Sequence, residues 1–241
     1  MSCVFVTGTD TDVGKTLVSA ALLERLAEGN YQTLAMKPVA AGAEATALGL
    51  RNSDALQLAA AMSCRSVAYQ HVNPVCLAAP VAPHLAAAQQ GIELKVADLK
   101  KAYQQLATHE HDVLLVEGAG GWLVPLNEQE SLADLATVLK GNVVLVVGMQ
   151  LGCLNHALLT ASEIQRRGLN LVGWVANQAG PEAMALAREN EQWLENYLTK
   201  HFQAPLLASI PFQETVDAKA IARYFPDSQE LMSLLCGRTD F

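Results

Sequence analysis

The stretch Cys3-Val4-Phe5-Val6-Thr7-Gly8-Thr9-Asp10-Thr11-Asp12-Val13-Gly14-Lys15-Thr16 decides the fold. Cys3–Thr7 is a short β-rich apolar run, which reads as a strand buried on both faces. A glycine-rich turn follows and opens into a segment of helical period. Between a strand and a helix, such a turn lets successive backbone N–H groups converge on phosphate oxygens, and the helix N-terminus adds positive potential. Lys15 would reach the terminal phosphates of a nucleotide and the Thr16 hydroxyl would ligate magnesium. The usual motif places four residues between its first glycine and the Gly-Lys pair, whereas five, Thr9 to Val13, stand between Gly8 and Gly14. The strict pattern fails by one residue, so the reading rests on the strand before the turn and the helix after it.

Outward from this loop the same alternation repeats. Thr33–Met36, Val113–Val116, Val143–Val147, Leu171–Ala176 and Leu206–Ile210 are further short apolar runs. Continuous apolarity marks strands of a parallel sheet covered by helices on both faces. Leu22, Leu23, Leu26 and Ala27 fall at core-facing helical spacing, with Gly29 as the expected C-cap. Ala157, Leu158, Ala161 and Ile164 repeat that spacing, with Arg166 and Arg167 in the last turn and Gly168 closing it. Residues 40–100 show little period and read as loops and short helices over one edge. The expectation is a doubly wound parallel α/β fold of the P-loop NTPase kind, forming one domain over residues 1–241.

Composition narrows the possible partners. The 241 residues are 51% hydrophobic but only 5% aromatic, which suits buried helices and parallel strands. A net charge of -8 opposes attraction to a phosphate backbone, so no nucleic-acid partner is expected. Five cysteines without a CxxC pair read as reduced thiols. No basic-then-apolar leader opens the chain and no apolar run approaches the ~20 residues of a bilayer span, so a cytoplasmic protein without a membrane partner is expected. Arg238-Thr239-Asp240-Phe241 reads as no membrane helix.

Three more side chains fall where a nucleotide site would need them. Lys37 ends a strand and precedes Pro38, so it would face the same crevice as Lys15, beyond the carboxyl ends of the strands. Two ammonium groups at one phosphate suit stabilisation of charge in phosphoryl transfer. Glu117 closes the strand Val113–Val116 and is followed by Gly118, Ala119, Gly120 and Gly121, the placement of a strand-end metal ligand with room for a phosphate. Asp54 lies near a helix start, where it reads equally as a cap or, with Thr16 and Glu117, as part of a magnesium site. Asp10 and Asp12 make the loop acidic, which suits a cation or an amine-bearing substrate beside the nucleotide. His109 and His111 read as a solvated loop, and Cys153 as a packed thiol.

The phrases Gly8–Thr16, Lys37-Pro38-Val39, Arg51-Asn52-Ser53-Asp54-Ala55, Val116–Trp122, 151–157 and Gly173-Trp174-Val175-Ala176-Asn177 resemble the dethiobiotin synthetase family, in order and over much of the chain. The odd loop spacing matches that family's own variant. The resemblance implies an ATP-dependent homodimer that converts 7,8-diaminononanoate, carbon dioxide and ATP to dethiobiotin, ADP and phosphate. It implies catalytic roles for Lys37, Lys15 and Thr11, and a magnesium ion held by Thr16, Asp54 and Glu117. Asp12, Val13, Gly14, Lys15, Thr16, Leu17, Asp54, Glu117, Gly118, Ala119 and Gly120 would surround the nucleotide, with Asn177, Gln178, Pro211 and Phe212 at its base. Thr11, Asp12, Lys37 and Ala41 would meet the diamine, and Gly152, Cys153, Leu154 and Asn155 its carboxylate across the dimer interface.

At Ala41 the family commonly carries serine, so one hydrogen bond to the carbamate region is expected to be missing. Two rival readings share the fold. One is a related amidoligase that activates a carboxylate with ATP. The other is a ParA/MinD-like ATPase switch, which would favour lysine where Asp10 stands.

Overall fold

The computed structural model describes residues 2–215 and 217–236, so Arg238–Phe241 lie outside the described residues. In chain order the elements are β1 (Ser2–Gly8), α1 (Lys15–Glu28), β2 (Thr33–Met36), β3 (Val39–Ala40), β4 (Glu44–Thr46), β5 (Gly49–Arg51), α2 (Ser53–Ala61) and α3 (Tyr69–Val72). Then come β6 (Val75–Cys76), α4 (Pro83–Gln89), α5 (Val96–Leu106), β7 (Val113–Glu117), α6 (Leu132–Leu139), β8 (Asn142–Gly148) and α7 (Cys153–Arg166). The chain continues through β9 (Leu171–Asn177), α8 (Ala187–Phe202), β10 (Leu206–Ile210), α9 (Ala218–Ala222) and α10 (Ser228–Leu235).

The six apolar runs of the sequence are the six strands of one sheet, in the order β10-β9-β8-β1-β7-β2 with every pairing parallel. Val113–Val116 and Val143–Val147 are wholly buried, as strands covered on both faces must be. Right-handed connections put α1 on one face and the crossovers α5, α6, α7 and α8 on the other. The packing agrees: α1 meets α2, α9 and α10, whereas α5 packs on α6 and α7 on α8. Strand β1 lies between β7 and β8, while its own connection passes beyond β7 to β2. The chain therefore reverses direction at β1, and a crevice opens at the carboxyl ends of these strands.

Gly29 caps α1 as expected, at φ −88°, and the left-handed residue is the following Asn30. Glycine stands at 29 because a Cβ there would lie 2.3 Å from Ser228 Oγ of α10. Residues 40–100 do form loops and short helices, but they also hold two small sheets, β3 with β6 and β4 with β5. His111 is buried, its Nδ1 2.7 Å from the carbonyl of His109, so the HxH pair does not sit in a solvated loop. Cys153 is a packed thiol, buried, and its burial raises its pKa. No helix among the described residues is long and apolar enough to cross a membrane.

Candidate active site

The loop from Gly8 to Thr16 is pinned to the sheet at its start and to β9 near its end. Thr9 N donates to the Val146 carbonyl (2.9 Å), and Gly148 N donates to Thr9 Oγ1 (3.2 Å). Asp12 and Gly14 both take positive φ, 57° and 90°. At Gly14 glycine is doubly required, because a Cβ there would fall 2.2 Å from Asn177 Nδ2. Lys15 Nζ donates to the Asp10 carbonyl (2.8 Å), which folds its side chain back along the loop.

Strand register brings the second lysine to this loop. Met36 pairs with Val116, so the next residues, Lys37 and Glu117, emerge side by side where β2 and β7 end, and Glu117 is itself level with Val6 of β1. Lys37 Nζ donates to Glu117 Oε1 at 2.5 Å and lies 3.0 Å from Asp54 Oδ2. Thr16, in the first turn of α1, donates its hydroxyl to the same Glu117 oxygen at 2.8 Å. The other oxygen, Oε2, is buried without a protein partner. An unpaired buried carboxylate oxygen is costly, and it fits a site completed by a cation.

Asp54 is not the helix cap. Asn52 caps α2, its Oδ1 accepting from the N–H groups of Asp54 (3.1 Å) and Ala55 (3.3 Å), which leaves the Asp54 carboxylate for Lys37. The first turn of a helix favours a carboxylate there. Behind these groups stands a network that sequence reasoning missed. Tyr69 Oη accepts from Asn52 N (2.8 Å) and donates to Asn73 Oδ1 (3.0 Å), while Asn73 Nδ2 donates to the Lys37 carbonyl (2.7 Å). One phenol thus links the cap that presents Asp54 to the backbone of Lys37. The i,i+4 spacing of Tyr69 and Asn73 was the available signal, but the partners lie far off in sequence.

One cavity of about 870 Å³ collects much of what the sequence singled out: Thr11, Asp12, Gly14, Lys15, Thr16, Lys37, Ala41, Asp54, Ala119 and Gly120 line it. Glu117 lies fully buried behind it, followed by Gly118, whose N–H bonds Val6. Val13 is buried and Leu17 packs against the core. Asn177, Gln178, Pro211 and Phe212 gather at the ends of β9 and β10, where Gln178 N donates to the Ile210 carbonyl (2.9 Å). Gly152, Cys153, Leu154 and Asn155, at the N-terminus of α7, do not line this cavity, and the neighbouring Leu151 is 96% exposed. A second cleft of about 800 Å³, beside the start of β9 and the end of α8, is lined by no charged residue.

The two lysines differ electrostatically. Burial lowers Lys15 to about 8, helped by the Lys37 ammonium and opposed by Glu117, Asp54 and Asp12. Burial also pulls Lys37 down, but the touching carboxylates of Glu117 and Asp54 outweigh it and hold its pKa above the ordinary lysine value.

A strand, a glycine loop and a helix, with a strand-end carboxylate bonded to the helix threonine, define a P-loop nucleotide-binding protein. Solved structures agree on the fold. The MinC:MinD cell division complex of Aquifex aeolicus matches with TM-score 0.54 at 15% identity, over 98% of this chain and 94% of that one. The septum site-determining protein MinD from Pyrococcus horikoshii, complexed with Mg-ADP, matches with TM-score 0.53 at 16% identity, over 97% and 94%. A family model described as an AAA domain matches residues 2–220. The ATP-dependent dethiobiotin synthetase of Pseudomonas aeruginosa (strain UCBPP-PA14) is 47% identical over 93% of this chain and 96% of its own. That of Cellvibrio japonicus is 48% identical over 91% and 93%. The chain belongs to the ATP-dependent dethiobiotin synthetase family.

With Lys15 lowered to about 8, the free protein at pH 8 holds this group about half protonated, and a bound polyphosphate restores the charge. ADP binding should therefore take up roughly half a proton at pH 8, and affinity should fall as pH rises through that value. Titration calorimetry in two buffers of different ionisation enthalpy reads the uptake, and equal heats would refute it. Tyr69→Phe removes the bonds of the phenol to Asn52 and Asn73 and its 3.7 Å contact with Cys76 Sγ, and should cost about 1–3 kcal/mol in urea melts. An unchanged midpoint would mean that the phenol does not hold the Asn52 cap.

Proposed function

We propose that this chain, working as one domain, is an ATP-dependent dethiobiotin synthetase of biotin synthesis. Its reaction would join 7,8-diaminononanoate and carbon dioxide at the expense of ATP. The observation that carries the reading is the convergence of Lys15, from the start of α1, and Lys37, from the end of β2, on a cavity that also presents Asp12 and Asp54. A phosphate cradle alone has no use for acidic walls, whereas a diamine brings positive charge. This is also what favours the diamine over the carboxylate substrate of an amidoligase.

In the proposed sequence one substrate amine adds carbon dioxide to form a carbamate. A carbamate oxygen attacks the terminal phosphorus of ATP and ADP leaves. The second amine then attacks the carbamoyl carbon, phosphate leaves, and the ureido ring closes. Lys15 and Lys37 hold the charge that builds on the transferring group, preorganised and out of water. Thr11 and Asp12 face the diamine. Asn177, Gln178, Pro211 and Phe212 serve the base.

Magnesium fits the donor set. Thr16, Asp54 and Glu117 supply hard oxygen ligands, one of them the unpartnered Glu117 oxygen. The charge balance supports the same reading, because the two ammonium groups face three carboxylates, Asp12, Asp54 and Glu117, and leave no surplus for a polyanion. When bound, the ion would neutralise charge on the phosphates.

We further propose a homodimer in which the N-terminus of α7 receives the substrate carboxylate for the neighbouring subunit. Its support is the fully exposed Leu151 beside a helix N-terminus that takes no part in its own chain's cavity.

Two measurements test this function. ADP release should depend on the diamine together with bicarbonate, and release indifferent to the diamine would favour an ATPase switch. In that assay Lys37→Gln should lower kcat by on the order of 10²–10³, with thermal melting as a control because Glu117 and Asp54 lose their counter-ion. Sedimentation at assay concentration should find a dimer, and a fully active monomer would remove the shared site.

A further inference from the structure

Asn177 is 3% exposed at the end of β9, and its Nδ2 donates to the main-chain carbonyl of Val13 at 2.8 Å. The orientation of the amide is chemically forced, since a carbonyl only accepts and the side-chain nitrogen must face it. Asn177 is itself anchored, its carbonyl accepting from Met149 N at 2.9 Å. Val13 is wedged as well. A Cβ on Gly8 would lie 2.6 Å from one Val13 methyl, and a Cβ on Gly148 2.7 Å from the other. With the side chain so held, the direction of the Val13–Gly14 peptide depends on what its carbonyl meets.

In a trans peptide the C=O and the following N–H point in opposite directions. A Val13 carbonyl tied to Asn177 therefore turns the Gly14 N–H away from β9, and Gly14 lines the cavity of the two lysines. Were this peptide to flip, its carbonyl would enter the cradle and repel phosphate. We propose that Asn177 is a positioning residue for the phosphate loop: through Val13 it aims the Gly14 N–H into the cradle, before any nucleotide arrives. Its Oδ1, which has no protein donor among the described residues, is left to accept from a base. Base pocket and phosphate cradle then share one side chain.

The proposal rests on the reading of this loop as a nucleotide site. It predicts that a ligand with no base feels Asn177. The probe is inorganic tripolyphosphate, competing with a fluorescent ATP analogue on the whole chain at a temperature where thermal melting shows each variant folded. Asn177→Asp sets a carboxylate oxygen against the Val13 carbonyl and should weaken tripolyphosphate binding by roughly tenfold or more. Asn177→Ala only deletes the donor and should weaken it by roughly three- to tenfold. Because it adds no charge, it carries the test should the aspartate variant fold poorly. Unchanged tripolyphosphate binding in the variants, with ATP binding lost, would overturn the proposal and leave Asn177 to the base alone. A wild-type protein that binds ATP but not tripolyphosphate would overturn it too, because the loop would then not be shaped in advance. A wild-type protein that fails to bind the ATP analogue would instead sink the nucleotide-site reading, and the proposal with it.

Discussion

The Lys37 ammonium, 3% exposed, touches Glu117 and lies 3.0 Å from Asp54, and three distant parts of the chain meet on it. A charge taken out of water at this depth is tolerated only with partners in good geometry. Glu117, with no exposed surface, has the same need, and Thr16 shares its oxygen. Removing one member would strand the others, so the group holds together as a unit. The ends of β2 and β7, the first turn of α1 and the start of α2 are fastened to one another by it.

What places these residues is the register of a parallel sheet. Neighbouring strands run the same way, so residues at equal height emerge at the same edge, and Lys37 and Glu117 become adjacent although 80 positions separate them. The doubly wound order sets the loop after β1 between the ends of β7 and β8, where the chain reverses direction. The edge strand β2 is covered rather than free. Thr33 N donates to Ser63 Oγ and Lys37 N to the Val72 carbonyl, both at 2.7 Å, so residues 63–73 close the edge and bring Tyr69 and Asn73 with them.

The balance of charge explains why the site is paired within itself. Lys37 is paired with both Glu117 and Asp54, and Lys15 feels the same two carboxylates and Asp12, in a chain whose net charge is -8. Lys15 sits at the edge of this balance, its pKa lowered to about 8 by burial and by Lys37. It is the member of the set best placed to respond to an incoming polyanion.

All six strands, the helices α1 and α7, and the chemistry of the loop were legible in the sequence, because apolar period and glycine placement act over a few residues. Lys37 and Glu117 were legible as strand-end residues for the same reason, and Thr16 from its place after Lys15. The capping role of Asn52 was not, since Asn, Ser and Asp in succession offer three plausible caps and only the backbone bonds select among them. Nor were the Tyr69 network, the burial of His111 or the grip of Asn177 on Val13. Each joins segments whose encounter is set by helix packing and sheet register, not by neighbours in the chain. Local order and the kind of chemistry were thus determined by the sequence alone. Which oxygen meets which nitrogen was decided by the tertiary structure, because hydrogen bonds depend on distances of a few tenths of an ångström that no spacing of residues encodes.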